Sequence, residues 1–166
     1  MQDLRTRVAL WIAQTINPPV QPKRHIKVNL NALRQLPEGT LGREVARFLD
    51  DNQFTLFESG DLIHRTHDIW HVVTGLSASE HDELMLQAFT RAQVFRPSSA
   101  VFVLYGLAVG KLRVADLLQG IQRGRLAQRL VQWDIESDWA IPLTEVRRKL
   151  GVTPFNQNLP QEIKLK

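Results

Sequence analysis

Three of the chain's five histidines are packed, with an aspartate among them, into "HRTHDIWHVV", residues 64–73. On a helix turning about 100° per residue, Asp68 lies about 100° and His71 about 40° from His67, so the three share one narrow face. Two imidazoles one turn apart have the spacing that grips a single metal ion, as in H-E-x-x-H helices. Two ligands do not make a site, and a third or fourth must come from elsewhere. The following segment, "SEHDELML", offers Glu80, Asp82 and Glu83 in competition. His64 shares the face but sits seven residues, or about 10.5 Å of helix rise, before His71. It reads as pocket lining or support for the ligands, or as simply exposed. His25 and His81 lack partners at useful spacing and read as ordinary surface or hydrogen-bonded histidines.

The 166 residues fit one domain, 1–166, with a sizeable core. Hydrophobic residues at 43% and charged residues at 23% are those of an ordinary soluble globular protein. Cysteine is absent, which excludes disulfides, thiolate zinc sites and cysteine nucleophiles. Any metal must therefore be held by nitrogen and oxygen. The net charge of +4 and pI near 9.8 come from scattered basic residues, with local groups at Arg123, Arg125 and Arg129 and at Arg147, Arg148 and Lys149. No nucleic-acid-binding signature accompanies them. A solvated surface is the simplest reading, and contact with an anionic membrane or a phosphorylated ligand is the alternative.

The elements that must position the histidines read as helices joined by short breaks. The first runs from Asp3 to about Ile16 and stops at "NPPVQP". Thr40 is placed to cap a helix through Phe48 and Leu49. A helix from about Asp61 to Val73, closed near Gly75, carries the cluster. Ser79 caps a helix through Met85, Leu86 and Phe89, and Ser98 or Ser99 caps an apolar helix over 100–109. A long stretch from Leu112 to Trp139 is interrupted or loosened around Gly120 and Gly124. Pro142 opens and Gly151 closes a last helix. No alternating strand pattern and no internal repeat occurs, so the expected class is all-α. The longest apolar run, "AVFVLYGLAVG", is about half the ~20 residues that span a bilayer. No cleavable signal is present, and the N-terminus matches a transit peptide poorly. An intracellular protein without a membrane span is expected.

"HDIWH", eleven residues and then Glu83 resembles the H-D-x-x-H-x11-E signature of the Coq protein 4 family of coenzyme Q (ubiquinone) biosynthesis. "LPEGTLGREVARFL", "DELMLQAF" and "RGRLAQRLVQWDIESDWAIPLTEVRRKLGV" resemble that family's flanking blocks in the same order, so the likeness covers about residues 36–152. It implies His67, Asp68, His71 and Glu83 as metal ligands. That donor mix suits zinc first, with iron, manganese or magnesium as alternatives. It also implies one all-α domain on a membrane surface, cytoplasmic face of the inner membrane in a bacterium or matrix side in a mitochondrion. An apolar cavity beside the metal would take a prenylated aromatic lipid. The implied activity is oxidative decarboxylation of a polyprenylated hydroxybenzoate, the ring carboxyl giving way to a hydroxyl. A homodimer and other quinone-biosynthesis proteins are the implied partners, with no nucleic acid.

Within that frame His64 is the candidate acid–base group. Phe102 and Tyr105, on the helix that is apolar nearly all round, are candidates to line a lipid tunnel, with plain core as the alternative. The first helix, with Trp11 and Ile12 beside Arg5 and Arg7, could equally lie on a membrane or dock on the core. Two other function classes compete with the enzyme. One is a non-catalytic prenyl-lipid-binding scaffold that organises the biosynthetic complex. The other is an unrelated metallohydrolase: zincin-like, with Asp68 one carbon shorter than the usual glutamate base, or of the His-Asp phosphohydrolase type, for which His25 would have to begin the ligand pattern.

Overall fold

The computed structural model describes residues 16–18, 20, 26–55 and 61–158. The expected first helix lies outside them except for its last residue, Ile16, and His25 lies outside them altogether. The described residues form seven α-helices: α1 Leu30–Arg34, α2 Leu41–Asn52, α3 Leu62–Thr74, α4 Glu80–Gln93, α5 Pro97–Ala108, α6 Val114–Leu126 and α7 Leu143–Leu150. Two 3-10 turns, Leu130–Gln132 and Glu136–Asp138, join α6 to α7. Among the described residues there is no strand, only an isolated antiparallel bridge between Thr40 and Pro142. The all-α expectation holds.

Most boundaries follow the capping chemistry. Asp61 accepts from the His64 amide at 3.0 Å at the start of α3, and Gly75, with φ +72°, ends it in the left-handed conformation that glycine adopts freely. Ser79 accepts from the Asp82 amide to start α4. Thr40 does precede α2, but its hydroxyl donates to the Pro37 carbonyl instead of capping the helix. Two expectations are corrected. First, α5 begins at Pro97, and Ser98 and Ser99 lie inside its first turn. Proline has no N–H to satisfy and a helical φ, so the helix starts on it. Second, α6 runs unbroken through Gly120 and Gly124. A Cβ at Gly120 would stand 2.7 Å from Ala88 Cβ, and one at Gly124 would stand 2.6 Å from the Phe89 carbonyl oxygen. The glycines mark close packing of α6 on α4, not a break.

The core is a single apolar cluster drawn mainly from α2, α3, α4, α7 and the 3-10 turn Leu130–Gln132, with α6 adding only the partly buried Leu117. Its largest fully buried members include Trp70, Phe89, Leu49, Leu86 and Leu130. The C-terminal segment locks the helices that carry the histidines. The Ile141 and Trp139 carbonyls accept from the Leu41 and Gly42 amides, both at 2.9 Å, satisfying the open first turn of α2. Arg147 on α7 donates through Nε to Val73 O (2.9 Å) and through Nη2 to Val72 O (2.8 Å), closing the last turn of α3.

Candidate metal centre

The site is built on α3, with one side chain from α4. Asp61, ahead of α3, forms an ion pair with Arg96, the residue ahead of α5, so the start of the histidine helix is pinned to its neighbour. On α3, His67 and His71 stand one turn apart with ring centroids 4.8 Å from each other and planes at 72°. Phe48 of α2 stacks on His71 at 5.4 Å and 19°, holding that ring against the core.

Of the three acids at the start of α4, two are engaged elsewhere. Glu80 accepts from Lys111 Nζ, and Asp82 accepts from the Ser77 amide and hydroxyl. Glu83 turns back toward α3. Its Oε1 accepts from His67 Nε2 at 3.2 Å and its Oε2 from His71 Nε2 at 3.1 Å. One ligand atom from each of His67, His71 and Glu83 falls within 4.8 Å of the others. Two imidazole nitrogens and a carboxylate so converged are a donor set that could hold a divalent cation.

Asp68 stands outside that group of three. Its buried carboxylate lies 3.7 Å from His67 Nδ1, the nitrogen on the other side of the ring from the contact with Glu83. His71 is buried, whereas the side chains of His67 and Glu83 remain 25% and 38% exposed, so the cluster opens toward solvent on their side. Burial pushes the Glu83 carboxyl up, but the charge of His67 and the hydrogen bonds from both histidines hold it well below the ordinary carboxylate range. Burial likewise disfavours the His67 cation, and Glu83 and Asp68 outweigh it, raising His67 to about 10. A cation that takes Nε2 must displace this proton.

His64, one turn before Asp68 on α3, is half-buried. Burial, then the charge of His67, holds its imidazole below the ordinary histidine range. His81 lies at the surface between Asp82 and Asp116, 3.3 Å from each, and joins α4 to α6 away from the cluster. Phe102 is half-buried against the core, and Tyr105 is exposed. The helix is therefore not plain core all round. Val101, Leu104 (64% exposed), Tyr105 and Val109 form an apolar face open to solvent, and Val114 and Leu118 of the adjoining α6 are exposed as well. No described helix is long and apolar enough to cross a membrane.

Spacing did not single out Phe48, Arg147, Gln87 or Ser99. Only Gln87 carried a readable signal, because it follows Glu83 by one helical turn. It donates to Glu83 Oε1 at 2.6 Å and accepts from the buried Ser99 hydroxyl at 2.7 Å.

Comparison with known proteins bears on the whole arrangement. The family model "Coenzyme Q (ubiquinone) biosynthesis protein Coq4" matches residues 62–156, which include both α3 and α4. The mouse "Ubiquinone biosynthesis protein COQ4 homolog, mitochondrial" is 33% identical over 147 residues, covering 76% of this chain and 55% of that protein. The human homologue is 30% identical over 146 residues with the same two coverages. The chain thus spans about half the length of these curated relatives. A crystal structure from Nostoc punctiforme, of a protein described as a candidate for ubiquinone biosynthesis, superposes with a TM-score of 0.65 at 26% identity, covering 92% of this chain and 83% of that one. With more than half its residues matched by the family model, the chain belongs to the Coq4 family of coenzyme Q (ubiquinone) biosynthesis proteins.

Proposed function

We propose that this protein acts in ubiquinone biosynthesis as a metal-dependent enzyme that oxidatively decarboxylates a polyprenylated hydroxybenzoate. The observation that carries the reading is the convergence of His67, His71 and Glu83, from two helices, on one point. These three residues hold the cation, and Asp68 sets the orientation of His67 from its Nδ1 side. A divalent cation bound there supplies Lewis acidity beside the ring carboxylate and the phenolate that develops as carbon dioxide leaves. The net change exchanges a carboxyl for a hydroxyl, a two-electron oxidation that balances with dioxygen as oxidant: the arene carboxylic acid, dioxygen and water give the phenol, carbon dioxide and hydrogen peroxide.

The chain's own residues do the rest. His64 has a depressed pKa, so it is neutral near pH 7 and suited to accept a proton. The exposed apolar face of α5 suits the prenyl tail or the membrane surface from which the substrate comes. That face also supports the second reading, a scaffold that binds prenyl lipid without turnover.

The test is elemental analysis of the purified protein beside His71→Ala. Lipid extracts of both are examined by mass spectrometry, and carbon dioxide release is followed from a carboxyl-labelled polyprenyl hydroxybenzoate. One metal per chain, lost in the variant together with carbon dioxide release, is the expected result. Lipid binding without release would favour the scaffold. Neither metal nor lipid, under metal-replete conditions, would overturn both.

A further inference from the structure

Glu83 is the least enclosed of the three converging side chains, and a glutamate left to itself samples many rotamers. Two residues outside the cluster remove that freedom. Gln87, one turn further along α4, donates from Nε2 to Glu83 Oε1 at 2.6 Å. Ser99, in the first turn of α5 and fully buried, donates from its hydroxyl to Gln87 Oε1 at 2.7 Å.

The direction of this chain follows from chemistry alone. An ionised carboxylate only accepts hydrogen bonds, so the Gln87 atom facing Glu83 must be the amide NH2. The Ser99 hydroxyl then faces the amide carbonyl and must donate. Both bonds point the same way, toward Glu83, and each polarises the next. The buried hydroxyl on α5 thereby fixes which way an amide on α4 points, and the amide fixes the carboxylate.

We propose that Gln87 and Ser99 are positioning residues for the metal centre, holding Glu83 in the orientation that meets His67 and His71. This inference rests on the metal-centre reading above. Partners of this kind, hydrogen-bonded to a ligand, alter metal affinity by about 10–100-fold when removed.

The test measures zinc affinity by calorimetry and cobalt binding by visible absorption on the full chain. The forms compared are wild type, Gln87→Met, Ser99→Ala, the double variant and His71→Ala, with thermal unfolding of each metal-free form measured alongside. Gln87→Met is expected to weaken zinc binding about 10–100-fold and to change the cobalt spectrum. Ser99→Ala should weaken binding less. The double variant should be no worse than Gln87→Met, because the hydroxyl acts only through the amide. Ser99→Ala keeps the question open to measurement should Gln87→Met fail to fold.

Affinities within two-fold of wild type in both single variants, with binding abolished in His71→Ala, would overturn the positioning role and leave the metal centre standing. An affinity loss that merely tracks lowered thermal stability, with the cobalt spectrum unchanged, would also overturn it. A wild-type chain that binds neither zinc nor cobalt would overturn the metal centre and this inference together.

Discussion

His67 and Glu83 are sixteen residues apart in sequence, yet His67 Nε2 lies 3.2 Å from Glu83 Oε1. The turn between α3 and α4 creates that approach. Gly75 ends one helix, Ser79 begins the next, and Ser77 holds Asp82 out of the way. His67 therefore faces a carboxylate on each side, Glu83 at Nε2 and Asp68 at Nδ1.

Asp68→Asn tests that two-sided arrangement. An amide of the same shape keeps the packing but removes the charge that favours a proton on Nδ1. Zinc affinity should fall about 10–100-fold while the protein still takes up one ion at saturation. Unchanged affinity in a calorimetric titration would show that Asp68 contributes nothing to the centre.

Gly124→Ala tests the close contact of α6 with α4. The new Cβ would stand 2.6 Å from the Phe89 carbonyl oxygen and 2.8 Å from Ala92 Cβ, both on α4, so backbone must shift. Alanine is the better helix former by about 1 kcal/mol, but overpacking of this kind costs about 1–3 kcal/mol. A net loss in urea unfolding is expected, and a gain would mean that the helices separate at little cost.

Asp138 anchors the connection into α7. It accepts from Trp133 Nε1 at 2.7 Å and from Lys149 Nζ at 2.8–2.9 Å while buried. Burial disfavours its charge, but Lys149 and Trp133 outweigh that and hold its pKa below the ordinary value. A depressed pKa contributes stability above the unfolded value near 3.9 and loses it as pH falls through the folded one. Asp138→Asn should cost about 1.5–3 kcal/mol at pH 7, the range for hydrogen bonds to a charged group. The difference from wild type should shrink below about pH 4, as chemical denaturation at pH 7 and pH 3 would show.

Leu104→Asn probes the open face of α5. The residue is 64% exposed, so folding stability should change by less than about 0.5 kcal/mol. Flotation with phospholipid vesicles carrying a prenylated hydroxybenzoate should show weaker binding than wild type. Equal flotation would assign the apolar face to something other than lipid.

The one-dimensional pattern was enough for whatever depends on neighbours along the chain. Apolar periodicity at 3.6 residues and the caps at Gly75, Ser79 and Gly151 set most helix bounds, because a capping residue lies within one turn of the end it serves. The same locality put His67, Asp68 and His71 on one face of α3. Local pattern failed where the cause lay across an interface. Gly120 and Gly124 looked like breaks because propensity cannot see that α4 passes within contact distance. Ser98 and Ser99 looked like caps, yet Pro97 starts the helix and buries Ser99 against Gln87.

At the site, spacing left Glu80, Asp82 and Glu83 as rivals, and only the family likeness favoured one. The tertiary structure decided among them physically. It gave Glu80 to Lys111 and Asp82 to Ser77, turned Glu83 onto two imidazoles, and placed Asp68 behind one of them. Which way a side chain turns depends on partners far away in the chain, and those partners exist only once the helices are packed.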